Sequence, residues 1–272
     1  MTLTLQMFLI VCPLLFLGGL VDAIGGGGGL ITLPAYMLAG VPVHQAIATN
    51  KLSSTCGTAL ATVRFVREGL VNWRLAVPTV LMAVIGSTLG ANLSLAVSAD
   101  VMEKVLVFVL PVVAIVVLSP RLFRDGDNEL HLTKKVWTVA ILSSLLVGFY
   151  DGFYGPGTGT FLIIAFTVLG GIDPRRANAQ AKVINLSSNI AGLTVFILNG
   201  QVFFPLGIAA AVCNMAGNYV GAGLAITKGS RITRPVIIFV LAAVPEDYGC
   251  DLTKKGSLLC SREPFFNVRL RV

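Results

Sequence analysis

The sequence predicts an all-α, polytopic integral membrane protein made of two repeated halves of inverted topology, each with a glycine-interrupted helix. Three observations carry that prediction: an unusually apolar composition, apolar runs long enough to span a bilayer, and an internal repeat. Hydrophobic residues make up 55% of the 272, charged residues only 12%, and the mean hydropathy is +0.85. A soluble domain of this length would carry about twice that share of charge. The apolar residues fall in long runs, from Leu3 to Val21, Leu75 to Val97, Val101 to Leu118, Val136 to Phe149 and Phe203 to Ile226. A helix needs about 20 residues to cross the hydrocarbon. Unpaired backbone polar groups are too costly there for irregular structure.

Laid on itself, the sequence repeats in a consistent register. At a shift of 131, Lys51 meets Lys182, Phe65 meets Phe196, Gly69 meets Gly200, Gly86 meets Gly217 and Gly90 meets Gly221. At a shift of 129, Asp22 meets Asp151, Gly26 meets Gly155, Gly28 meets Gly157 and Leu33 meets Leu162. Each half then reads as five apolar segments: 3–21, 29–41, 46–63, 74–96 and 102–118, then 134–150, 157–170, 177–198, 203–226 and 233–244. The organisation is a first repeat at 1–118, a cytoplasmic linker at 119–133, a second repeat at 134–244 and a polar tail at 245–272. Because segment 3–21 pairs with an internal segment, it is expected to belong to the fold and not to a cleaved signal.

The second segment of each half, at about 13 residues, is too short to cross upright. It is expected either to form a re-entrant hairpin or to pass through as a half-helix. An odd count per half inverts one half relative to the other. Basic residues support this: Arg64, Arg67 and Arg74 form one loop cluster, Arg121, Arg124, Lys134 and Lys135 a second, and Lys228, Arg231 and Arg234 a third. All three fall on one side, with Asp100, Glu103 and Asn199-Gly200 on the other. The positive-inside rule makes the basic side cytoplasmic and the N-terminus external. Arg175 and Arg176 join that side only if the short segment crosses.

The net charge of +7 sits in short juxtamembrane clusters and not along one face, which argues against nucleic acid. Cys12, Cys56, Cys213, Cys250 and Cys260 form no CxxC pair, and His44 and His131 are the only histidines. No metal, cofactor or disulfide framework is expected, and no serine, histidine and acid are arranged for hydrolysis.

Two constellations stand out as candidate sites. The first is Asp22-Ala-Ile-Gly-Gly-Gly-Gly-Gly29, echoed by Asp151-Gly-Phe-Tyr-Gly-Pro-Gly-Thr-Gly159. Such a stretch breaks a helix and lets it restart, presenting N–H groups and a positive dipole end to an anion. Gly26, Gly28, Gly155 and Gly157 are the candidates, with tight turning or close helix packing as the plainer reading. No Gly-Lys-Ser/Thr follows and no strand precedes, so a phosphate loop is not expected. The second is Thr49-Asn50-Lys51 with Ser53 and Ser54, repeated as Gln180-Ala181-Lys182 with Asn185, Ser187 and Ser188. Lys51 and Lys182, with Thr49, Asn50 and Asn185, suit an anion-binding site, since intramembrane charge usually faces a partner or a cavity. Snorkelling to the interface is the alternative. Asp22 and Asp151 are partners of those lysines, proton carriers or helix caps. Gly86-xxx-Gly90 and Gly217-xxx-Gly221 read as helix-packing motifs.

With these residues in view, the chain resembles the sulfite exporter TauE/SafE family of bacterial membrane permeases. The resemblance lies in Asp22–Pro34 (DAIGGGGGLITLP), Thr49-Asn50-Lys51-Leu52, Gly69-Leu-Val-Asn-Trp73-Arg, Gly152-Phe-Tyr-Gly-Pro-Gly-Thr-Gly-Thr160, Ala181-Lys182-Val-Ile-Asn185-Leu-Ser-Ser-Asn189 and Gly200-Gln-Val. It covers about residues 5–240 and implies a multi-pass permease of the cytoplasmic membrane, with roughly seven to nine spans. Its partners would be the lipid bilayer and a small anion: sulfite, a sulfonate or a related organic acid. Export by alternating access is the expectation, against an anion channel or a non-transporting membrane scaffold. The chain departs from the family at its end. The last apolar segment stops at Val244, and a polar tail follows that reads as a divergent extension or a frameshifted end.

Overall fold

The computed structural model describes residues 3–102, 104–105 and 132–228. Most of segment 102–118, most of the linker 119–133, segment 233–244 and the tail 245–272 lie outside the described residues. Among those described, the chain forms eight labelled helices and no strand. These are α1 (Leu5–Gly25), α2 (Gly29–Leu38), α3 (Val43–Arg67), α4 (Trp73–Ala96), α5 (Lys134–Phe153), α6 (Thr158–Ile164, continued by a π-turn at Ala165–Leu169), α7 (Pro174–Leu198) and α8 (Phe204–Lys228). Five of them, α1, α4, α5, α7 and α8, are long and apolar enough to cross a membrane. Exposed Leu5, Leu9, Leu81, Leu89, Leu146, Ile208 and Val212 give these helices an apolar outer face suited to lipid. Helix α3 matches α7 and α8 in length, at 25 residues each. Its sequence is more polar because Thr49, Asn50, Lys51, Ser53, Thr58 and Thr62 are turned inward and buried.

Helix ends extend past the apolar runs because polar residues close the terminal turns. The Asn72 side chain accepts from Leu75 N at 3.2 Å, Thr133 from Val136 N at 3.3 Å, and Asp173 from Arg175 N at 2.9 Å. Helix α1 continues beyond the expected Val21 to Gly25. It stops where Gly26, at φ 78°, sends its N–H to Asp22 O at 2.8 Å. Asp22 therefore sits in the last turn of α1 and not after it.

The helix-packing motifs set the directions of the helices. A Cβ on Gly86 would lie 2.3 Å from Leu145 O, and one on Gly90 would lie 2.0 Å from Phe149 O, so α4 and α5 run parallel in near backbone contact. Gly217 and Gly221 stand in the same relation to Phe16 O (2.0 Å) and Leu20 O (2.3 Å), so α8 runs parallel to α1. Thr49 meets Phe203 and Gly207, Gly57 meets Asn214, and Arg64 meets Tyr219, so α3 also runs with α8. Asn72 meets Gln180 and Ser87 meets Ser188, so α4 runs with α7. Lys51 meets Asn189 while Thr62 meets Lys182, so α3 and α7 run opposite ways.

Helices α1, α3 and α8 thus point one way and α4, α5 and α7 the other. Since α1 and α3 point the same way, α2 must bring the chain back between them, and α6 does so between α5 and α7. The beginnings or ends of the helices then put Arg64, Arg67, Arg74, Lys134, Lys135, Arg175, Arg176 and Lys228 at one end of the bundle. The other end carries Asp100, Lys104 and His44, whose Nε2 contacts Val97 O at 2.9 Å.

Packing divides the helices in a way the repeat does not. Helix α8 lies along α1 and α3, and α4 lies along α5 and α7. One body is therefore α1, α2, α3 and α8, and the other is α4, α5, α6 and α7. Each body borrows a helix from the other half of the sequence.

Candidate functional site

The two helix breaks cross each other where the bodies meet. A Cβ on Gly26 would lie 2.3 Å from Gly159 C, and one on Gly159 would lie 2.6 Å from Gly26 Cα, so only glycine permits this backbone-on-backbone contact. Thr160 Oγ1 donates to Gly25 O at 2.7 Å, and Asn178 Nδ2 reaches Ala23 O and Ile24 O at 3.1 and 3.2 Å. The loss of helical continuity leaves carbonyls without intrahelical donors, and side chains of the opposite body satisfy them.

Beside this crossing lie two ion pairs of equal length. Lys51 Nζ is 2.6 Å from Asp151 Oδ2, and Lys182 Nζ is 2.6 Å from Asp22 Oδ2. Each lysine occupies the ninth position of its 25-residue helix, and each aspartate lies at the end of the first helix of the other half. Lys51 and Lys182 are 2% and 0% exposed, which rules out snorkelling. A charge so far from water requires a counter-charge and further hydrogen bonds. Lys51 also donates to Asn189 Oδ1 at 3.0 Å, and Asn189 Nδ2 donates to Asn185 Oδ1 at 3.0 Å. Ser188 Oγ and Thr158 Oγ1 donate to Asp151 at 2.7 and 2.9 Å, and Thr58 Oγ1 reaches Asp22 at 3.5 Å.

Between the pairs is a polar cavity with about 20 Å³ open to a water centre, room for about one water molecule. Its wall includes Asp22, Lys51, Asp151, Asn50, Asn185 and Asn189, with Ser54, Thr58 and Thr158; glycines complete it, and no apolar side chain does. With two lysines and two aspartates, the charges of the paired site cancel.

The structure brings most of the sequence candidates together, though not in one role. Lys51, Asn50, Asn185, Asp22, Asp151, Gly26, Gly155 and Gly157 line the cavity. Lys182 is behind the wall, reaching it only through Asp22. Gly28 packs away from it, where a Cβ would lie 2.3 Å from Gly18 O. Thr49 faces the α7–α8 connection, its Oγ1 accepting from Phe203 N at 3.0 Å. Sequence reasoning did not single out Thr58, Asn189 and Thr158. A signal was there: Thr58 and Asn189 are counterparts in the repeat, seven positions after the two lysines.

Comparison with known proteins is consistent along most of the chain. The family profile described as sulfite exporter TauE/SafE matches residues 11–244. The chain is 37% identical over 230 residues to the probable membrane transporter protein ORF9 of Sinorhizobium sp, spanning 84% of this chain and 87% of that one. It is 38% identical over 229 residues to the probable membrane transporter protein YfcA of Escherichia coli K12, spanning 84% of each. A probable membrane transporter protein of Haemophilus influenzae is 34% identical over 225 residues, or 83% of this chain and 88% of its own. No solved structure matches.

Proposed function

The chain belongs to the sulfite exporter TauE/SafE family of membrane proteins, and from that premise we propose that it is a secondary transporter exporting a small anion such as sulfite by alternating access. The observation that carries the reading is the pair of cross-linked charges: Lys51–Asp151 and Asp22–Lys182 each join one packing body to the other. Releasing a pair loosens the joint between the bodies, opens the cavity and leaves positive charge to receive an anion. With the pairs made, a cavity of about one water has no room for an oxyanion.

The repeat is read as two inverted halves, supported by the opposite directions of α1 and α5, α3 and α7, and α4 and α8. An inverted repeat with broken helices is a recurring transporter design, with substrate held where the repeats meet. The moving units in this reading are the packing bodies, with α4 and α8 exchanged, and not the sequence halves. The chain crosses between them at residues 68–72 and 199–203, where Gly69 and Gly200 have φ of 66° and 65° and open space around them. The basic end is assigned to the cytoplasm, which puts the N-terminus outside.

Sulfite flux in proteoliposomes tests the proposal. The wild-type chain should give saturable flux, and Lys51→Ala and Lys182→Ala should each lower it at least about ten-fold, as expected when a buried charge loses its partner. Normal flux in both variants would remove the lysines from the site. Flux that never saturates would replace the transporter by a channel.

A further inference from the structure

The two ion pairs are counterparts in the repeat, yet their carboxylates are not held alike. Asp151 receives Lys51 and Ser188 on Oδ2, at 2.6 and 2.7 Å, and Thr158 on Oδ1 at 2.9 Å. Each hydroxyl also lies near a carbonyl of its own turn, Asn185 O at 3.0 Å and Gly155 O at 2.6 Å, but a carboxylate is the stronger acceptor. Among the described residues, Asp22 receives Lys182 at 2.6 Å and, besides it, a long contact from Thr58 at 3.5 Å. Its side chain is 14% exposed, against 3% for Asp151.

Packing builds in this difference. The repeat counterparts of Thr158 and Ser188 are Gly29 and Gly57, which have no hydroxyl to give. A side chain at either position meets a neighbour: a Cβ on Gly29 would lie 2.7 Å from Pro156 Cα, and one on Gly57 would lie 1.9 Å from Asn214 Oδ1.

We propose that Asp22 is the carboxylate that binds and releases a proton during transport, while Asp151 anchors Lys51. The inference rests on the transport reading above. With both pairs intact the site is neutral, and an anion entering it would be an uncompensated buried charge. One proton on Asp22 leaves the paired site with one net positive charge, so a proton and a monoanion enter as a neutral pair. Two short hydroxyl contacts hold Asp151 in place, whereas Asp22 has one long contact, from Thr58. Among the described residues, the charged groups facing Asp22 are Lys182 from α7, and Lys51 from α3 and Asp151 from α5 across the cavity. Helices α2 and α6 carry no charged residue, and Lys228 of α8 lies at that helix's end. Tyr36 of α2 is engaged with Ser53 at 3.0 Å.

Two measurements on the full chain decide the matter. In proteoliposomes, sulfite flux is followed across about two pH units for wild type, Asp22→Asn and Asp151→Asn. The acid–base equilibrium of sulfite is common to all three, so differences between profiles belong to the protein. The Asp22→Asn profile should lose the protein's own pH dependence. The Asp151→Asn profile should keep the wild-type shape while its rate falls at least about ten-fold. Superimposable wild-type and Asp22→Asn profiles, or the reverse assignment of the two, would overturn the proposal.

Infrared difference spectra in nanodiscs without substrate give a second readout, independent of whether sulfite is carried. Of the protonated-carboxyl signal that grows on acidification, one component, over the background of the other acids, should vanish in Asp22→Asn and persist in Asp151→Asn. The double variant Thr158→Val/Ser188→Ala should add a second such band, from Asp151, and serves where Asp22→Asn does not fold. A band lost in Asp151→Asn, or unchanged in the double variant, refutes the assignment even if sulfite flux is absent.

Discussion

Removing the ammonium from the Lys51–Asp151 pair should cost more stability than removing the whole pair. Both side chains are only 3% exposed, so Lys51→Met leaves a carboxylate away from water without its counter-charge. Breaking a buried pair from one side costs about 3–5 kcal/mol. Ser188 and Thr158 still donate to Asp151, which places this case at the lower end, about 3 kcal/mol. For a chain of this size each kcal/mol lowers the unfolding midpoint by about 2–4 °C, so a loss of about 6–12 °C is expected. Asp151→Asn alone strands Lys51 in the same way, with Asn189 as its remaining acceptor at 3.0 Å. The double variant Lys51→Met/Asp151→Asn strands neither charge and should recover at least about half of the loss. The assay is thermal unfolding of purified full-length protein in detergent, read for wild type, both single variants and the double. If the two single losses add to the double within about 0.5 kcal/mol, the residues are not coupled and the clasp reasoning fails.

Two further outcomes follow from the packing. Gly57→Ala drives a methyl to 1.9 Å from Asn214 Oδ1 and should destabilise by about 1–3 kcal/mol, with partial recovery when Asn214→Ala is added; unfolding midpoints of the three chains check it, and an unaffected single variant would contradict the close α3–α8 contact. Spin labels separate the packing bodies from the sequence halves: Arg67 with Arg74, in one half but two bodies, should change distance when sulfite is added. Arg67 with Lys228, in two halves but one body, should keep its distance, and the opposite pattern would restore the sequence halves as the moving units. All three positions are exposed helix ends.

Much of this protein is legible in its residues alone. The apolar runs located α1, α4, α5, α7 and α8, because a backbone in hydrocarbon has little choice but helix once about 20 apolar residues are available. The repeat picked out Lys51 with Lys182 and Asp22 with Asp151, and the small-xxx-small spacing marked the faces of α4 and α8 that touch a neighbour. Helix limits were less exact. Asp22 was read as the start of a break, yet it belongs to the last turn of α1, because a left-handed residue ends a helix only where its N–H finds a carbonyl behind it, and that residue is Gly26.

What residue spacing does not encode is which helix a face meets. Gly86 and Gly90 announce close contact without naming α5, and only assembly shows that α4 and α8 change bodies. From that exchange follow the partners of the buried lysines, Asp151 for Lys51 and Asp22 for Lys182, each drawn from the other half. The position of Thr49, turned to Phe203 N and away from the cavity, follows from the same assembly. So does the unequal support of the two aspartates, because whether a position can carry a hydroxyl depends on the space a neighbour leaves at Gly29 and Gly57. Local chemistry and hydrophobic period determine where helices form and which residues are too polar for lipid. Counter-charge, close approach and steric room are properties of pairs of helices, and those were decided only when the chain packed.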